Sequence, residues 1–196
     1  MRLMRNPAWR WVILALAFLA VFGAGGLSRF GYSAVLPDMQ EALKLSSAAA
    51  GSLASWNLAG YTLMALMGGL LAARFGPRKV VTTGMVITAA GMLLTGLSQG
   101  LAAASAWRLL TGIGNGMVMA PSIALMAAWF HTRQLGVASA IASSGTGLGL
   151  VIAGPVVPRL IAQGGDEGWP PRLVLLRRRS DLSGRLDRDP GTRPAL

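Results

Sequence analysis

Five stretches without a single Asp, Glu, Lys or Arg divide this chain: residues 11–28, 45–73, 80–107, 109–130 and 134–158. A helix rises 1.5 Å per residue, so about 20 apolar residues are needed to cross a hydrocarbon core of roughly 30 Å. Each stretch meets or nearly meets that length, and five of them in 196 residues leave little room for another class. Lipid offers no water to backbone N–H and C=O groups, so such segments have to satisfy them internally, as helices do. The expected fold is all-α, a polytopic helical membrane protein. Its spans are expected near 11–36, 52–73, 80–97, 103–130 and 134–161.

Composition removes the other classes. A net charge of +11 in a polar protein would point to nucleic acid. Here 53% of residues are apolar and 13% charged, and the basic residues fall between long apolar runs, so no basic helix face can be drawn. The lipid bilayer is the expected partner, and nucleic acid is not. With no cysteine there is no disulfide, thiol nucleophile or cysteine metal site. No paired acids, metal-ligand cluster or activated nucleophile is visible, and Ser139, Ser143 and Ser144 lack a nearby base. Neither an enzyme nor a bound metal or cofactor is expected. Gly145, Gly147 and Gly149 imitate a dinucleotide fingerprint, but they follow no strand and lie inside a charge-free stretch.

Lys and Arg in short loops set the orientation of helical membrane proteins. The N-terminus carries Arg2, Arg5 and Arg10, the 74–79 connection Arg74, Arg78 and Lys79, and the 131–133 turn Arg133. The 37–51 connection holds Asp38, Glu41 and Lys44, and the 98–102 turn no charge. A multi-pass protein of a bacterial-type inner membrane is expected, with its N-terminus, the 74–79 loop and the 131–133 turn in the cytoplasm. The basic flank before Trp11–Phe22 also fits a secretory signal peptide, a reading outweighed by the four spans that follow. Residues 1–162 read as one bundle. Residues 163–196 hold 12 of the 25 charged residues and four prolines, with Leu173–Leu176 their longest apolar run. They read as a basic, disordered tail. The change of character just after Trp169 also suggests a shifted reading frame and a lost C-terminal half.

Several groups of residues carry a family resemblance. Gly69 through Ala73-Arg74-Phe75-Gly76-Pro77-Arg78-Lys79 reads G-x-x-x-A-R-F-G-P-R-K between the second and third spans. It resembles the cytoplasmic loop signature of the major facilitator superfamily, G-x-x-x-D-R-x-G-R-R/K, with Ala73 where the family has its acid. Arg108-Leu-Leu-Thr-Gly112-Ile-Gly114-Asn115-Gly116 resembles the family's R-x-x-x-G-x-G-x-G/A motif in the fourth span. Gly154-Pro155 is reminiscent of the antiporter kink of the fifth helix. Leu150 and Pro158 replace the neighbouring glycines, so antiport is not inferred. Residues 29–40 and 50–61 are similar to the YbfB-like branch. The resemblance covers about residues 10–162, five of the six helices of an N-terminal half.

That resemblance implies a secondary transporter whose two halves enclose a small solute between them. It assigns gating to Gly69, Arg74, Gly76, Arg78 and Lys79, with the acid latch missing. Helices one and four line the central cavity in this family, so Arg29 and Arg108 are expected to face the solute. They are also the only ionisable groups well inside apolar context, in the outer half of the bilayer, and such groups are functional candidates by default. No acid lies in any span to neutralise them, so the carboxylate of a small organic anion would serve. The alternative is that Arg29 snorkels to the interface and Arg108 bonds backbone carbonyls or a C-terminal half. Asn57 and Tyr61, one turn apart, either contact solute or bond a neighbouring helix, and Asn115 has the same two choices. His131 reads as a solvated loop residue. Gly112, Gly116, Ala120, Ala124 and Ala128 form one small-residue stripe, and Gly145, Gly149 and Ala153 another; these are packing surfaces, with Gly154 and Pro155 beside the second.

Two readings from other classes stay open. One is a non-transporting membrane fragment, or an interaction partner for another helical protein. The other is a homodimerising half-transporter, in which a second copy stands in for the C-terminal half.

Overall fold

The computed structural model describes residues 8–163, all of them helical or in short turns. The tail expected from 163 onward and the frame change at Trp169 lie, apart from Gln163, outside the described residues. Helix α1 (Ala8–Val21) runs through a π-helical turn, Phe22–Leu27, into α2 (Ser28–Leu43). Then follow α3 (Ser47–Phe75), α4 (Pro77–Gly96), α5 (Leu101–Trp129) and α6 (Thr132–Gln163). Because α1, the π turn and α2 are continuous, five helices among the described residues are long and apolar enough to cross a membrane, the first being Trp9–Glu41. The expected spans near 11–36, 52–73, 80–97, 103–130 and 134–161 fall within these helices to a residue, and most of the helices extend further.

The helix ends follow local chemistry. Lys44 takes the left-handed conformation (φ 50°) and closes α2 by donating its N–H to the Gln40 and Glu41 carbonyls. Ser46 caps α3, its Oγ accepting from the Ala49 N–H at 3.2 Å. Gly76, at φ 87°, makes the turn between α3 and α4, a conformation that costs glycine nothing, and Pro77 starts α4 at its first position. The π turn coincides with Phe22-Gly-Ala-Gly-Gly-Leu27; the Ser28 N–H donates to the Gly23 carbonyl five residues back, and side-chain-poor backbone tolerates the extra residue.

Close backbone approach holds the bundle together. A Cβ on Gly112 would collide with the Asn57 carbonyl oxygen, and one on Gly116 would lie 2.7 Å from the Tyr61 carbonyl. Gly60 meets Leu109 from the α3 side, so α3 and α5 cross glycine against backbone. Helix α4 covers another flank of α5, where a Cβ on Gly84 would lie 2.7 Å from Met117 Cβ and one on Gly91 2.5 Å from Thr111 Oγ1. Helix α6 crosses the first span where Gly149 meets Gly26, with a Cβ on Gly145 2.7 Å from the Phe18 carbonyl. Ala153, on the same stripe, is buried. Ala120 continues the α5 stripe toward Gly68, at 3.5 Å. Gly154 does not share this role: nothing lies within 4 Å of where its Cβ would be, because it is about 100° around the helix from Ala153.

Between helices in lipid, van der Waals contact replaces the hydrophobic drive. Replacing Gly112 with Val should therefore lower stability in detergent by about 1–3 kcal/mol or prevent assembly. Gly154→Ala should be neutral or gain up to about 1 kcal/mol from helix propensity. A thermal scan read by size-exclusion chromatography separates the two.

Candidate functional site

The crossings bring the polar residues of the first span, α3, α5 and α6 to one level. The Asn57 amide donates from Nδ2 to the Arg108 carbonyl at 3.0 Å, across the α3–α5 crossing. Thr88 Oγ1 donates to Asn115 Oδ1 at 3.2 Å, tying α4 to α5. Both asparagines are buried, so each serves as interhelical glue. Both also border a small cavity of about 30 Å³, together with Arg29, Tyr61, Met119 and Thr146. That volume suits about one water molecule.

Arg29 is exposed, with its guanidinium 5.9 Å from the centre of the Tyr61 ring, within cation–π range. The Thr146 hydroxyl is buried and has no hydrogen-bond partner among the described residues. Arg29, the Asn57 and Asn115 amides, Tyr61 and Thr146 thus offer a cation and several neutral polar groups, with no acid among the lining residues. Such a set suits an anion with further hydrogen-bonding oxygens.

Arg108 goes elsewhere. It is 3% exposed, and its guanidinium lies 3.6 Å from the centre of the Tyr32 ring. It lines a second, largely apolar cavity of about 560 Å³ between α2 and α4. The two arginines expected to share the solute therefore border different cavities. The cause is helical geometry: Ser28 and Tyr32 are one turn apart on one face of α2, while Arg29, one residue on from Ser28, is turned by about 100°.

The remaining candidates lie apart from both cavities. Gly69, Arg74, Arg78 and Lys79 are exposed at the α3–α4 turn, where Arg74 lies 5.5 Å from the centre of the Phe75 ring and the Gly76 N–H donates to the Ala72 carbonyl. Pro155 is exposed within α6, and His131 is exposed at the start of α6, its carbonyl accepting from Gln134 and Leu135. Sequence reasoning missed Tyr32, Ser28 and Thr146. The first two could have been found by their four-residue spacing beside Arg29. Thr146 offered less, being one position off the Gly145–Gly149 stripe.

Asn57→Leu removes the α3–α5 hydrogen bond while keeping volume. It should destabilise the bundle by about 0.6–2 kcal/mol. Denaturant titration of helicity in mixed micelles measures this, and an unchanged midpoint would mean that the bond contributes nothing.

The sequence matches the Major Facilitator Superfamily over residues 17–175. Relatives include monocarboxylate transporter 13 of Bos taurus, 30% identical over 87% of this chain and 39% of its own length. Monocarboxylate transporter 11 of Mus musculus is 28% identical over 87% of this chain and 37% of its own. A probable sulfoacetate transporter, SauU, of Cupriavidus necator is 28% identical over 85% of this chain and 38% of its own. The chain thus spans about two fifths of the length of the curated relatives it matches.

Proposed function

Since this chain belongs to the Major Facilitator Superfamily, we propose that it supplies half of a secondary transporter's solute path and that the solute is a small organic anion. The observation that carries the anion is Arg29: an exposed guanidinium at a polar cavity whose other lining groups are all neutral. Three relatives named for monocarboxylate or sulfoacetate transport support the same chemistry. Arg29 binds the carboxylate, Tyr61 and Thr146 add hydroxyls, and Asn57 and Asn115 hold the helices that present them. Transport, not catalysis, is the activity.

A cavity of about 30 Å³ is too small for such a solute by itself, so on this reading it is one wall of a site. Facilitator halves bind solute between them, so a C-terminal half or a second copy contributes the opposite wall. Gly69, Arg74, Gly76, Arg78 and Lys79 form the gating turn at the cytoplasmic side. The similarity of residues 29–40 and 50–61 to the YbfB-like branch supports a bacterial-type inner membrane as the location.

Uptake of labelled sulfoacetate and of a short monocarboxylate, in vesicles carrying the chain with its complementary half, tests the anion. Arg29→Gln should lower uptake roughly 10- to 100-fold, the worth of a charge-assisted hydrogen bond. Undiminished uptake, or a preference for cations, would overturn the reading.

Orientation has its own test, made clean by the absence of native cysteine. A membrane-impermeant maleimide on intact cells should label Gln99→Cys at once and Arg78→Cys only after permeabilisation. The reverse pattern would place the N-terminus outside.

A further inference from the structure

The cavity beside Arg29 is bordered by two amides, each of them half used. Asn57 spends its Nδ2 on the Arg108 carbonyl at 3.0 Å, and only the nitrogen of an amide can donate to a carbonyl, so Oδ1 is left over. Asn115 is turned the other way: its Oδ1 accepts from Thr88 Oγ1 at 3.2 Å, which leaves Nδ2. Asn57 is 6% and Asn115 4% exposed. Neither leftover atom is among the sealed, unpartnered side-chain atoms of the described residues, whereas Thr146 Oγ1 in the same wall is. With so little surface in all, the two leftover atoms keep theirs toward the cavity that both residues border.

One acceptor and one donor thus face a space of about 30 Å³, the room of one water molecule. A group that meets both has to donate and accept at once. An O–H group does so, and an ionised carboxylate or sulfonate, which only accepts, does not. An anion on Arg29 would find the Asn57 oxygen a repulsive neighbour unless something lay between them. Gly25 keeps the space open. A Cβ there would lie 2.8 Å from Thr146 Oγ1 and 3.4 Å from Met119 Sδ, across the cavity that all three line.

We infer that this cavity holds one ordered water, donating to Asn57 Oδ1 and accepting from Asn115 Nδ2, and that the solute anion meets this water in place of the amides. Those two bonds use one O–H and one lone pair. The second O–H is left for the side on which Arg29 lies, so the water converts an acceptor of the wall into a donor for the anion. That role rests on the anion reading above; the water's seat between the amides does not. A hydroxyl carried by the solute is the rival source of the same O–H chemistry.

Radiolysis of the full 196-residue chain by a synchrotron beam tests the water, in proteoliposomes and heavy-oxygen water. Hydroxyl radicals formed from a bound water mark the side chains beside it. Met119, half-buried, borders the cavity, and Met126, 0% exposed in an apolar cluster, is the dry reference. With no solute present, Met119 should take up heavy oxygen well above Met126. Gly25→Ala fills the space and Asn115→Leu removes one of the water's hydrogen bonds, so each should lower Met119 labelling roughly fivefold or more. Should Asn115→Leu fail to fold, Gly25→Ala, which leaves both amides in place, decides. Met119 labelled no more than Met126, or labelling unchanged in a folded variant, overturns the inference.

Uptake of acetate and of glycolate, by the chain with its complementary half, tests what the water does. Gly25→Ala should raise the half-saturating concentration of both anions alike, roughly fivefold for one lost hydrogen bond. A preference for glycolate that Gly25→Ala erases would make a solute hydroxyl the occupant and overturn the retained water. Unchanged uptake in that variant would overturn its role toward the solute. Uptake of neither anion, with Met119 labelling as expected, would instead sink the anion reading and leave the water in place.

Discussion

Glycine against backbone carbonyl, at Gly112 over Asn57, is the contact on which the arrangement of this bundle depends. In lipid, helices gain little by hiding apolar side chains from a solvent that is itself apolar. They gain by approaching closely enough for dispersion and a few hydrogen bonds to act. The absence of a side chain at Gly112 lets α3 lie so close to α5 that the Asn57 amide reaches the Arg108 carbonyl. The same approach brings Tyr61 alongside Gly116, and from there toward Arg29. A second crossing, Gly149 on Gly26, locks the first span to α6 and brings Thr146 to the same cavity. Every polar group at that cavity is thus carried there by a pair of small residues a turn or less away.

The π turn has a part in this placement. One extra residue in the turn advances everything downstream by about 100° relative to an uninterrupted α-helix. It sits directly before Ser28, Arg29 and Tyr32, so it sets which of them faces α3 and α6 and which faces α4. The Gly23-Ala-Gly-Gly26 sequence both permits the turn and supplies Gly26 for the α6 crossing. Local backbone chemistry and long-range packing therefore depend on the same four residues.

The five helices were legible because charge-free length is a one-dimensional property, and the bilayer converts it directly into a span. The packing stripes were legible in part: Gly112–Gly116–Ala120 and Gly145–Gly149–Ala153 face neighbouring helices, whereas Ala124 and Ala128, at the same four-residue spacing, are exposed. Gly154 shows the limit: it stands beside the stripe in sequence yet faces open space, because one residue is nearly a third of a helical turn. The site was legible in part. Arg29, Asn57, Tyr61 and Asn115 share a cavity, whereas Arg108 borders another. Two arginines in apolar context look alike in a sequence, and which cavity each borders depends on the face its helix turns inward. Tyr32 went unnoticed for the same reason, since its role exists only once α5 brings Arg108 to its ring.

That separation bears on what each arginine is able to do. A group that binds and releases an anion has to tolerate its own unbound state, and a guanidinium does so when water reaches it. Arg29 is exposed and meets this requirement. Arg108 is 3% exposed, held against the Tyr32 ring at 3.6 Å with its Nε unsatisfied. An unpaired buried cation is strongly destabilising, and the ring offsets only part of that. Exposure, more than charge or depth, is thus what distinguishes the two arginines, and Arg29 is the one open to a solute that comes and goes.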